Sequence, residues 1–336
     1  MKELELFSLD GLGGFFGRNK HGFKPAPGQK CLNCDTELQG RFCHVCGQDA
    51  DTHHRTIGHL IFEAFEGLFH VDGRLWQTLP PLFFAPGRLA RDFMEGRVAR
   101  HVPPFRIFLV ALLVFMFVAE HKTEEQRHHI DAAHHAALAA DGKPDANYEG
   151  VTVIRKVDPK TGKETVTRNI RLFSISEEDA RYLARELDQS HMRPQWLKDD
   201  IVKALNNPEH FFTGVFTWGH RLALLLLPIV GLSLGLLYAG KKHKRFFLYD
   251  HLLVAMNLLS FIFFTLAAEF ALPEVAKPFA APILFVWTLA TFFMTLRGGY
   301  GSSVFGALLK SLILWVMTAF SFSVLLASVM FVSLAA

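Results

Sequence analysis

The chain is short of net charge, of cysteine and of recognisable catalytic motifs. Its 35 Lys and Arg stand against 32 Asp and Glu, a formal +3, so bulk electrostatics select no partner. There is no H-E-x-x-H and no phosphate-binding glycine loop. Gly298-Gly-Tyr-Gly follows an apolar run and lacks the strand that a nucleotide loop requires. Paired acids on a spanning helix, typical of many pumps, are also missing. The opening Met-Lys-Glu-Leu-Glu-Leu has no apolar run, which argues against a signal peptide. What is present is grease: half of the 336 residues are hydrophobic, Phe alone supplies 33, and the mean hydropathy is positive. A soluble domain this apolar would expose large sticky patches. Long apolar blocks separated by polar stretches exclude a simple soluble enzyme, a disordered chain and a fibrous repeat.

All four cysteines lie between residues 31 and 46: Cys31-Leu-Asn-Cys34, then Cys43-His-Val-Cys46-Gly47. Two C-x-x-C turns this close match a tetrahedral zinc site, each turn bringing two thiolates to one ion. The other readings are two disulfides or one redox pair, and disulfides need an oxidising compartment. A shell of four sulfurs is closed, so the expected zinc is structural and its binding supplies the ribbon's folding energy. Neighbouring His44, His53, His54 and His59 are expected at the surface.

Five segments carry the length and apolarity of bilayer spans: 105–119, 222–239, 247–268, 279–296 and 304–334. Basic clusters precede the first (Arg88, Arg91, Arg97, Arg100, Arg106), follow the second (Lys241-Lys242-His243-Lys244-Arg245) and follow the fourth (Arg297). All fall on one side if the amino end is cytosolic and the carboxyl end outside. That topology also keeps the thiols in a reducing compartment. The expected fold class is a mainly α-helical polytopic membrane protein with an N-terminal zinc ribbon (31–55) and a small α+β extracytoplasmic insert (120–217).

Residues 56–104 are neither ribbon nor span. Ile57, Leu60, Ile61, Ala64, Phe65, Leu68 and Phe69 follow helical spacing. Arg74–Phe84 is a second apolar piece, broken by Pro80-Pro81. A third opens at Pro86-Gly87, with Leu89, Phe93 and Met94 set against Arg88, Arg91 and Arg97. We expect interfacial amphipathic helices on the cytosolic leaflet; the alternative is a small bundle packed on the ribbon.

Five runs carry a family likeness. They are Phe69-His-Val-Asp-Gly-Arg-Leu, Ala85-Pro-Gly-Arg-Leu-Ala-Arg-Asp-Phe, Val102-Pro-Pro-Phe-Arg, Tyr249-Asp-His-Leu and Gly298-Gly-Tyr-Gly. Together with the double C-x-x-C they resemble a bacterial family of zinc-ribbon membrane proteins, catalogued as domain of unknown function 3667. The likeness covers most of residues 31–119 and 246–320. It implies an inner-membrane location. The family leads us to expect histidines in the third span, where this chain has Met256 and Asn257. At the level of fold, five spans behind a cytosolic head distantly resemble Yip1-type membrane proteins.

In the outer loop, Val151–Val157 and Glu164–Phe173 read as strands around the turn Asp158-Pro-Lys-Thr-Gly162. Helices are expected after Ser176 and over Trp196–Leu205. His121, Glu125, His128 and His135 fall on one helical face. That set could bind a transition metal or sense pH, although a solvated helix is the plainer expectation. Within the spans, Asp250 and Asn257 are seven apart on one face, and Lys310 enters the fifth span at comparable depth. We expect Lys310 and Asp250 to join the third and fifth helices, with Asn257 facing the interior. Gly231 and Gly235 form a G-x-x-x-G close-packing face.

The expected function is a non-enzymatic scaffold, recruitment or assembly factor whose ribbon binds a protein partner. The alternatives are a transporter or channel component, or a membrane-embedded enzyme using Asp250, His251 and Lys310 at the cytosolic interface. The lipid bilayer is one partner, and a homo-oligomer stays open. Arg18, Lys20, Lys24, Lys30 and Arg41 make too thin a basic footprint for nucleic acid to be the expected ligand.

Overall fold

A computed structural model describes residues 25–50, 73–141, 147–148, 151–157, 164–170, 177–189, 193–239 and 246–335. The helix expected over 57–69 lies outside them. The fold is mainly helical. The described helices are α1 (Leu75–Phe84), α2 (Pro86–Met94), α3 (Pro104–Asp141), α4 (Glu177–Asp188), α5 (Gln195–Asn206), α6 (Pro208–Ala223), α7 (Leu226–Tyr238), α8 (Leu248–Ala271), α9 (Lys277–Gly298) and α10 (Val304–Ala335). Strands β1 (Asn147–Tyr148), β2 (Val151–Val157) and β3 (Glu164–Ile170) pair antiparallel in chain order, with Val151 opposite Ile170. Five stretches are long and apolar enough to cross a membrane: Pro104–His129, Pro208–Tyr238, α8, α9 and α10.

Three boundaries differ from the sequence reading, each for a physical reason. Glu120-His121 was expected to close the first span, yet α3 runs on to Asp141. Charge ends a lipid-crossing stretch; it does not end a helix, and the Glu, Gln, Arg and Ala that follow are adequate helix formers. Pro80-Pro81 does not break the second apolar piece, because both lie inside α1. Both sit beyond the first turn, so the carbonyls of Trp76 and Gln77 lose their donors, a cost that tertiary packing of the helix must offset. The second stretch begins upstream of Leu222, at Pro208, with a turn at Leu224-Leu225 between α6 and α7. Pro228 supplies the cause, since it has no N–H to give Leu224, four residues back.

The chain divides into two compact units. One holds the described residues up to Val114 with Leu225–Glu269 and Pro273–Phe322; the other holds Phe115–Leu224, Phe270–Leu272 and Ser323 onward. In the first unit α8 is the hub. Of its most apolar window 78% is buried, against 17–39% in the other four stretches, so it is wrapped by protein on all sides. Gly231 and Gly235 of α7 face it: a Cβ on Gly231 would come within 2.7 Å of Leu252 Cδ2. The G-x-x-x-G face therefore packs within the chain. In the second unit, buried Lys198 of α5 donates to Asp188 O at the end of α4, 3.0 Å away. That carbonyl belongs to the last turn of a helix, which has no intrahelical donor left. Trp196 meets Phe331 edge-on at 5.8 Å.

Candidate functional site

The four cysteines form the group among the described residues that could hold a metal ion. Their sulfurs all lie within 4.8 Å of one another, and none is in a disulfide. Cys31 Sγ is 3.6 Å from Cys46 Sγ, and Cys34 Sγ is 3.5 Å from Cys43 Sγ. A tetrahedral ion with bonds of ~2.3 Å needs sulfur–sulfur edges of roughly 3.8 Å, so the set fits such a shell. The local structure is a repeat with a twelve-residue offset. Asp35 N donates to Cys31 O as Gly47 N does to Cys43 O, and Cys31 N donates to Thr36 O as Cys43 N does to Gln48 O. Asp35 (φ 59°) and Gly47 (φ 73°) hold the same left-handed position after the second cysteine of each pair. Glycine takes that conformation at no steric cost and aspartate at a modest one. Among the free thiols, burial pushes Cys31 up to about 12, whereas a hydrogen bond with the Thr36 hydroxyl draws Cys34 down to about 6.

Two side chains, Gln48 and Arg100, latch the ribbon to the fold. Gln48, 3% exposed, donates through Nε2 to Gly96 O (2.6 Å) and accepts from Ala99 N at Oε1 (3.2 Å). Arg100 Nη2 donates to Asn33 O at 3.0 Å. The second knuckle, which also carries Gln48, presents Phe42 and Val45, 59% and 63% exposed, with the Arg41 guanidinium over the Phe42 ring.

A second site forms where three sequence runs meet. Gly87 of Ala85-Pro-Gly-Arg packs against α9 so closely that a Cβ would lie 2.2 Å from Met294 O. Arg91 donates to Gly298 O from Nε (3.0 Å) and Nη2 (2.6 Å). Tyr300 of Gly298-Gly-Tyr-Gly, 2% exposed, shares a 2.8 Å hydrogen bond with Nδ1 of His251 from Tyr249-Asp-His-Leu. It also stacks on Tyr238 at 4.0 Å. Tyr238 in turn shares a 2.8 Å hydrogen bond with Ser302. The glycines thus serve close packing and a turn, Gly301 having φ 62°.

Lys310 and Asp250 each make a contact that the sequence did not single out. Lys310 Nζ donates to Leu237 O (2.6 Å) and sits 3.8 Å from the centre of the Tyr238 ring. Leu237 O is a last-turn carbonyl at the negative end of α7, which attracts an ammonium group. Asp250 Oδ2 accepts from Phe247 N (2.9 Å) at the start of α8. Asn257 is 3% exposed, and neither its amide oxygen nor its nitrogen has a partner among the described residues. The hydroxyls of Thr291 and Thr295, buried in α9, are likewise unpartnered, whereas Thr288 bonds back to Leu284 O. Composition alone could not single out these two threonines.

The histidine-rich face lies on α3. Glu125 is tied to Lys122 at 2.6 Å, and the exposed His128 lies 4.0 Å from Glu124. His121 stacks on Phe117 at 6.2 Å. The side chain of His135 lies outside the described residues. No curated protein and no solved structure matches the chain. Residues 72–116, which carry α1, α2 and the start of α3, match the model of a family described as Protein of unknown function (DUF3667), so the likeness read from the sequence is shown over this segment.

Proposed function

We propose that this chain is a non-enzymatic inner-membrane protein whose cytosolic ribbon holds structural zinc and recruits a protein partner. One observation carries the reading. The ribbon is clamped by Gln48 and Arg100 and leaves Phe42 and Val45 exposed. Adjacent apolar side chains on a small metal-dependent module, rigidly held, form a surface suited to a protein anchor. A closed shell of four sulfurs supplies folding energy and leaves no open position for substrate.

In this reading 31–55 is the cytosolic ribbon, 120–217 the extracytoplasmic α+β insert, and the carboxyl end lies outside. A reporter fused after Ala336 that is active only in the cytosol overturns the orientation. Purification in mild detergent, comparing wild type with Cys31→Ser and with Phe42→Asp/Val45→Asp, tests recruitment. Partners should be lost in both variants, and an unchanged partner set defeats the reading. Unpartnered Asn257, Thr291 and Thr295 favour a second reading, a transport component with a polar intramembrane site.

A further inference from the structure

Helix α1 is not arranged like a helix resting on a membrane surface. Its start and the end of α2 meet the same segment. Arg74 Nη1 donates to Ala99 O (3.3 Å), Val102 N donates to Thr78 Oγ1 (3.0 Å), and Asp92 of α2 lies 3.3 Å from His101. The joint between the helices goes elsewhere. Phe83 packs against Phe261 (5.6 Å) and Phe264 (6.0 Å) of α8 and against Trp287 (6.0 Å) of α9; Phe84 packs on Trp287 at 5.7 Å. Trp287 is eleven residues from Gly298, ~16 Å along the helix axis. A bilayer's hydrocarbon core is ~30 Å thick, so these rings lie near its middle if α9 spans it. Three residues after Phe84, Gly87 is already against Met294 and Gly298, back at the helix end.

We infer that α1 is a re-entrant half-membrane helix, dipping into the bilayer from the ribbon side, with acyl chains as the partner of its exposed face. This rests on the reading that α8 and α9 span the membrane. The exposed side chains of α1 are Trp76, Gln77, Pro80 and Phe84, and three of them form an i, i+4, i+8 stripe with no charge. On α2 the exposed positions are Arg88 and Arg91, with Glu95 just after it. The two helices therefore present surfaces suited to different solvents, hydrocarbon for α1 and the headgroup layer for α2.

A turn inside hydrocarbon must satisfy its backbone internally. This one does so at several points. Trp287 Nε1 donates to Phe83 O (3.2 Å), and Ala85 N donates to Pro81 O (2.9 Å). Arg88 N and Leu89 N both donate to Ala85 O, and Pro86 has no N–H to satisfy. An indole N–H in mid-span aimed at a helix-terminal carbonyl has no purpose on a surface helix.

The test is nitroxide labelling of the zinc-loaded protein in liposomes at Phe84→Cys, Val286→Cys and Arg88→Cys, with unsubstituted protein as background. Val286 is an exposed mid-α9 position and reports the span itself. Phe84→Cys should match Val286→Cys, open to oxygen and shielded from a water-soluble nickel chelate at least tenfold better than Arg88→Cys. If Phe84→Cys behaves like Arg88→Cys while Val286→Cys stays shielded, the hairpin alone is refuted. If Val286→Cys is itself open to the chelate, the spans and the hairpin fall together. Phe84→Trp gives a second measure that keeps an aromatic side chain. Its added emission should be quenched more by lipids brominated at mid-chain than near the headgroup, and the reverse order refutes the dip.

Discussion

Gly87 and Gly298, from runs more than two hundred residues apart, touch backbone to backbone. A Cβ on Gly298 would lie 2.7 Å from Gly87 Cα. Because the clash would be with main chain, no rotamer relieves it. Gly87→Ala should lower stability by ~1–3 kcal/mol, as should Gly298→Ala. Thermal unfolding in detergent measures both. Because they break one contact, the double variant should lose less than the sum of the singles. Strict additivity would show that the two glycines do not share a contact.

Arg91 holds the same junction through a forked pair of bonds to one carbonyl. Arg91→Lys keeps the charge and loses the fork. The residue is exposed, so a loss of about 1 kcal/mol or less is expected. An unfolding midpoint unchanged in both Arg91→Lys and Arg91→Ala removes the junction's claim on this side chain.

Gln48 is one of the ribbon's two latches. Gln48→Leu leaves Gly96 O and Ala99 N without their partner, at a cost of ~1–3 kcal/mol for each buried group. Hydrogen exchange over 29–50 should rise while bound zinc stays near one per chain. Loss of zinc with the latch would mean that the two are not separable.

Each cysteine should be needed for the metal. Cys43→Ser is expected to abolish stoichiometric zinc by elemental analysis, and a chelator should reproduce its effect on ribbon protection in wild type. The helical remainder should keep its unfolding midpoint within a few degrees. Full zinc occupancy in Cys43→Ser contradicts the four-thiolate shell.

His101 sets a pH dependence. Burial, opposed by Asp92, lowers its pKa from the ordinary 6.5. The folded chain then binds this proton less readily than the unfolded chain. Its contribution to stability is complete above pH 6.5 and declines as pH falls below that toward the lowered value. Between pH 7 and 5 the wild-type unfolding midpoint should fall more than that of His101→Gln. Parallel slopes would rule His101 out.

Much of this molecule was open to reading from residue order, because the decisive signals are local. Two C-x-x-C turns carry their own geometry, and a run of twenty apolar residues needs no tertiary partner to demand lipid. The same local logic misled at Pro80-Pro81, where a breaker is read as interrupting a helix that runs through it. Depth alone also could not show that Lys310 takes the Leu237 carbonyl. A lysine near a helix end can equally take a terminal carbonyl, and the choice depends on where α7 stops.

Residue order by itself determined that the chain is built for a bilayer, that one metal-sized cluster precedes the greasy blocks, and which glycine-bearing runs stand out. Only the tertiary structure decided that those runs meet at the end of α9, that Gln48 clamps the ribbon, and that α1 reaches toward the middle of α8 and α9. The reason is physical: apolarity and turn chemistry act within a few residues, whereas a backbone contact between Gly87 and Gly298, or an indole reaching Phe83 O, exists only once distant helices have packed.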